Sequence, residues 1–129
     1  MEGSGVKQGA NMGAEEIYTH AFILGQVDTA CYEVARGKPV SVQALRARQV
    51  DEAQAIAAAH GVYSHVEPNG AEGWVSFWIY RRPYLLDVIK GAPKSPRTPS
   101  EHWFMGKLFG YSDEDIERFI QCAVPPDSE

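Results

Sequence analysis

Between residues 14 and 36 apolar side chains recur at steps of three and four. Ile17, Ala21, Leu24, Val27, Cys31 and Val34 draw one stripe with the period of an amphipathic helix. Glu15 and Glu16 fall in its first turn and Arg36 in its last, each charge matching the helix dipole. Gly37 offers a left-handed stop and Pro39 bars continuation. A second helix is expected from Val42 to His60, capped by Ser41. Val42, Leu45, Gln49, Ala53 and Ile56 share a face, and the alanine-rich run 55–59 has high helix propensity. Gly61 ends it. With a short link between them, the two helices are expected to pair antiparallel.

The period then falls to two. Val62–Glu67 and Trp74–Tyr80 are β-favouring runs on either side of Pro68-Asn69-Gly70, a hairpin signal. The second run is apolar on both faces: Val75, Phe77 and Ile79 point one way, and Trp74, Trp78 and Tyr80 the other, with Ser76 between them. A strand sheltered on one side alternates with polar residues, so this one must be covered twice. Either helices of the same chain sandwich it, or a partner protein or second copy covers one face.

Pro83 opens a short helix through Lys90 that Gly91 stops, and Ala92–Pro99 is a proline-rich linker. Thr98-Pro99-Ser100-Glu101 matches a capping box with proline at the first helical position, starting a helix over 102–109 that ends at Gly110. Ser112-Asp113-Glu114-Asp115 caps a last helix that turns Ile116, Phe119 and Ile120 inward and ends at Pro125-Pro126. The expected fold is α+β, mostly helical (about five helices) around one antiparallel β-hairpin. A single domain spans 14–124, with a flexible leader over 1–13 and a tail over 125–129.

Composition narrows the class. A formal charge of −5 argues against a general nucleic-acid binder. Cys31 and Cys122 lie far apart without C-x-x-C spacing and read as reduced, buried thiols. No stretch is long enough to span a bilayer and the first residues have no signal-peptide core, so a cytoplasmic protein without membrane contact is expected.

Candidate chemistry is sparse. His20 and Cys31 share a side of the first helix but stand roughly 16 Å apart along its axis, too far to form a pair. His60 and His65 straddle a helix stop and lack the spacing of a zinc-binding helix. Gly106–Gly110 lacks the strand and glycine spacing of a phosphate loop. The carboxylates of Asp113, Glu114, Asp115 and Glu117 are explained by their place at a helix start. Neither a metal nor a cofactor is expected.

His102, in a helix first turn near Tyr111, is the best candidate for anion binding or catalysis, with Arg82 as a third member of such a site. Arg36, Lys38, Arg46 and Arg48 form one basic run. Arg81, Arg82, Lys90, Lys94, Arg97 and Lys107 form another, set among Tyr84, Trp103 and Phe104 in a mix that suits single-stranded nucleic acid. The acidic start of the last helix would oppose phosphates if the helix–turn–helix unit over 102–113 docked as a DNA-reading pair.

The leading expectation is a small non-catalytic binding or regulatory protein acting by protein contact, on another protein or on a second copy of itself. Its contact set is Trp74, Trp78, Tyr80, Arg81, Arg82 and Arg97. Inhibitors and accessory proteins of phages and mobile elements often have this size and lack of catalytic motif. Nucleic-acid binding through residues 81–107, and an enzyme site around His102 and Tyr111, are the alternatives.

Overall fold

A computed structural model describes residues 13–123. Residues 1–12 of the expected leader, and the expected tail with its Pro125-Pro126 stop, lie outside them. Among the described residues there are five α-helices and a three-stranded antiparallel sheet, an α+β fold. In chain order they are α1 (Ala14–Ala35), β1 (Val40–Arg46), a 3-10 turn (Ala47–Gln49), α2 (Val50–His60), β2 (Tyr63–Pro68), β3 (Trp74–Tyr80), α3 (Leu85–Gly91), α4 (Pro99–Leu108) and α5 (Asp113–Ala123).

The expected hairpin is part of a larger sheet, because the first half of the expected second helix is a strand. Strand order is β1-β3-β2, with Val40 opposite Tyr80, Val42 opposite Trp78 and Arg46 opposite Trp74. Val40 and Val42 are β-branched, so this segment gains more beside an apolar strand than in a helix. Gln49 marks the true boundary. Its side chain is fully buried, and its Oε1 accepts the Arg46 backbone N–H at 3.1 Å just before α2. Ser41, expected as a helix cap, is buried in the sheet opposite Ile79.

The inserted strand also reverses the expected helix pairing. His20 Nε2 meets Glu52 Oε1 at 3.0 Å and His60 Nε2 meets Asp28 Oδ1 at 2.8 Å, both across 32 residues of sequence. A constant offset means that α1 and α2 run parallel, because β1 carries the chain back along the sheet before α2 begins. The buried seam of α1 is Ile23, Val27, Ala30, Cys31 and Val34, whereas Ile17 and Ala21 of the expected stripe are exposed.

The sheet lies between two helical layers. On one face Phe77, Ile79 and Leu45 pack against Val27, Val34, Ala53 and Ala57 of α1 and α2. On the other, Val40, Trp78 and Tyr80 pack against Ile89 of α3 and Met105 and Leu108 of α4. Trp78 is 4% exposed and Tyr80 5%, so helices of the same chain supply the second cover for β3. These two residues are core and are removed from the expected partner-binding surface.

Candidate functional site

With the sheet covered by helices on both faces, α4 and α5 carry an open apolar surface near the expected site residues. α4 starts on the capping box that the sequence announces. Thr98 Oγ1 accepts the Glu101 N–H at 3.2 Å, and Glu101 Oε1 accepts the Arg97 N–H at 2.8 Å. The chain leaves α4 through Gly110 at φ +86°, where Tyr111 N donates to Gly106 O at 2.9 Å. A side chain on Gly110 would be strained there and would also meet Pro39 Cδ at 3.0 Å. Ser112 Oγ then accepts the Asp115 N–H at 3.1 Å and opens α5.

α5 packs chiefly on α4. The contact depends on Gly106, where a Cβ would stand 2.6 Å from Ile116 Cγ1, so only glycine lets Ile116 sit so close. Ile116 is buried, but Phe119 remains 54% exposed and Ile120 is half-buried. Between the helices runs an open groove of about 720 Å³ with Met105, Phe109, Ile116 and Phe119 among its walls. One salt bridge lines it, Arg118 Nη1 with Asp115 Oδ1 at 2.9 Å.

His102 and Tyr111 both line this groove. The His102 ring lies 5.2 Å from that of Phe119, tilted by 60°, and Tyr111 is half-exposed with Lys38 Nζ 5.9 Å from its ring. Arg82 is not among the lining residues. The expected contact set does not converge. Trp74 and Arg81 lie at opposite ends of β3, roughly 20 Å apart for a strand of this length. Arg81 and Arg82 are exposed where the chain enters α3, and Arg97 is exposed just before α4.

Several cations of the two basic runs sit over aromatic rings of the chain itself. Arg46 lies 4.6 Å from the Trp74 ring, Lys94 5.6 Å from Trp78, Lys107 5.4 Å from Trp103 and Arg36 4.6 Å from Tyr32. Such contacts occupy the mix of positive charge and aromatic faces that a single strand of nucleic acid would use.

A second polar cluster lies beside the groove and is absent from the sequence reading. His65 Nε2 stands 3.1 Å from Glu67 Oε2, and Lys94 Nζ stands 3.2 Å from Glu67 Oε1, joining β2 to the linker before α4. Burial pushes the Glu67 carboxyl up, but the hydrogen bonds and charges of His65 and Lys94 together outweigh it, so its pKa falls below the ordinary value. Ser76 and Trp78 border the same cleft, and Trp78 Nε1 has no hydrogen-bond partner among the described residues. Residues 65 and 67 share a strand face, which the period of two implies, but nothing local points to Lys94 as their partner.

The cysteines differ. Cys31 is buried, and burial, with the charge of Asp28, pushes its thiol up to about 11, so it is a poor nucleophile. Cys122, expected to be buried, is exposed at the groove's end. Among the described residues no helix is long and apolar enough to cross a membrane, and no group of three or more His, Cys, Asp or Glu side chains is placed to hold a metal ion.

Fold and site together define a small α+β protein with an open apolar groove beside a closed core. No protein-family model matches the chain, and no curated protein matches it.

Proposed function

We propose that this chain is a small binding or regulatory protein that acts by contact with another protein, and that the α4–α5 groove makes the contact. One observation carries the reading: an amphipathic helix whose apolar face is only partly covered, with Phe119 54% exposed above a groove of about 720 Å³. An apolar floor with a polar, charged rim, here the Asp115–Arg118 pair, is the usual build of a protein interface. α4 and α5 have ten and eleven residues, so the groove is roughly 15 Å long and takes about three turns of a docked amphipathic helix. His102 and Tyr111 then serve as polar contacts beside an apolar anchor.

Incorporation of a photo-crosslinking phenylalanine analogue at position 119 captures the partner for identification. The purified partner is then titrated against the wild-type chain and Phe119→Asp. The expected result is at least a tenfold loss of affinity, about 1.4 kcal/mol, with an unchanged melting temperature. Full-strength binding by Phe119→Asp, or no adduct at position 119, overturns the reading.

A further inference from the structure

α1 carries a second apolar seam that the core does not use. Tyr18, Phe22, Gly25, Thr29 and Tyr32 follow one another at steps of four and three, the spacing of a helix–helix contact, and all five are exposed. Tyr18 is 71% exposed and Phe22 54%, with their rings stacked at 6.2 Å. The seam borders β1, an edge of the sheet, because Phe22, Gly25, Gln26, Thr29 and Gln43 line one shallow groove. An open edge strand presents unpaired backbone groups that another strand can take up.

Two coincidences of position identify the occupant. Gly25 lies at the middle of α1 (Ala14–Ala35), and Gln43 lies at the middle of β1 (Val40–Arg46). Because both line the same groove, a single twofold axis beside them would set α1 against α1 and β1 against β1, each antiparallel. Charge follows the same symmetry. The N-terminal end of α1 carries exposed Glu15 and Glu16, and its C-terminal end is followed by Arg36 and Lys38. Glu15 and Arg36 are equidistant from an axis between Gly25 and Gln26, as are Phe22 and Thr29. Antiparallel pairing therefore brings Glu15 of one copy to Arg36 of the other, whereas parallel pairing would bring like residues together. Gly25, with open space around it, removes the side chain where two helices cross closest.

We infer that the chain forms a twofold dimer through the outer face of α1 and the free edge of β1, joining two three-stranded sheets into one. This surface approaches the α4–α5 groove at Lys38, whose Nζ lies 5.9 Å from the Tyr111 ring, and neither reading depends on the other. Each dimer would present two grooves.

Sedimentation equilibrium of the full chain tests the dimer, which should have twice the 14.3 kDa mass of one chain. Phe22→Glu is expected to weaken association at least tenfold, and Arg36→Glu alone to weaken it measurably. Arg36→Glu combined with Glu15→Lys and Glu16→Lys should restore it. Because these positions are exposed, circular dichroism should show an unchanged fold in every variant. A wild-type monomer at high micromolar concentration overturns the inference. So does a dimer indifferent to Phe22→Glu, and so does a failure of the charge exchange to restore association.

Discussion

β3 and α5 are both rich in apolar side chains, and the fold treats them in opposite ways. In β3, Phe77, Trp78, Ile79 and Tyr80 are all buried, because β1 and β2 flank the strand and helices cover both sheet faces. In α5 only Ile116 is buried, while Phe119 and Ile120 keep part of their surface in water. The apolar pattern of a segment shows which face needs cover; its place in the layering decides whether the chain itself supplies it. A central strand gains neighbours in every direction, and an outer helix on one neighbour does not. Apolar surface left over at an outer element is what a partner can use.

The sharpest way to break this contrast is to place a charge in β3. Trp78→Arg puts an unpaired cation between the sheet and α4 and removes the stacking with Phe109, whose ring lies 6.1 Å away. It is expected to cost about 3–5 kcal/mol and to abolish the cooperative thermal transition. A native-like melt with altered self-association would instead place Trp78 on a surface.

Next in size is Gly106→Ala. The new methyl group would overlap Ile116, so a loss of about 1–3 kcal/mol is expected in chemical denaturation, together with loosening of α5. Ile116→Ala in the same chain should recover part of it, and if it does not, Gly106 is not where the two helices meet.

A smaller effect belongs to the cleft beside the groove. Because the folded pKa of Glu67 is depressed, its ionised form adds stability that is full above the ordinary value of 4.5. That stability disappears as pH falls through the folded value. The unfolding midpoint of Glu67→Gln should therefore lie below that of the wild type at neutral pH and converge with it in acid. Parallel pH profiles would remove Glu67 from the account. The smallest effect is expected at Phe119→Ser, within about 0.5 kcal/mol, since that ring is already half in water.

Much of this contrast is legible along the chain. Thr98, Pro99 and Glu101 announce the start of α4, and Gly61 and Gly110 mark helix ends, because capping and left-handed stops are local chemistry. The two apolar faces of β3 correctly require cover on both sides. The identity of that cover is not local. The Ala-rich run before Gly61 extends a helical pattern backwards across β1, and only pairing with β3 reveals residues 40–46 as a strand. Once β1 is in place, α2 must run parallel to α1, and α3 and α4 are left for the Trp78 face.

The candidate site is legible in part. His102 and Tyr111 do meet at one groove, but Gly106 matters through a contact with Ile116 that no spacing rule foretells. Lys94 meets Glu67 across 27 residues of sequence.

Hydroxyl-radical footprinting of the folded chain, read residue by residue, measures the contrast most directly, because it reports side-chain contact with water. Slow labelling of Trp78 despite the high intrinsic reactivity of indole, together with ready labelling of Phe119 and Tyr111, is the predicted result. Labelling of Trp78 as fast as Phe119, in a chain shown to be folded, would contradict it.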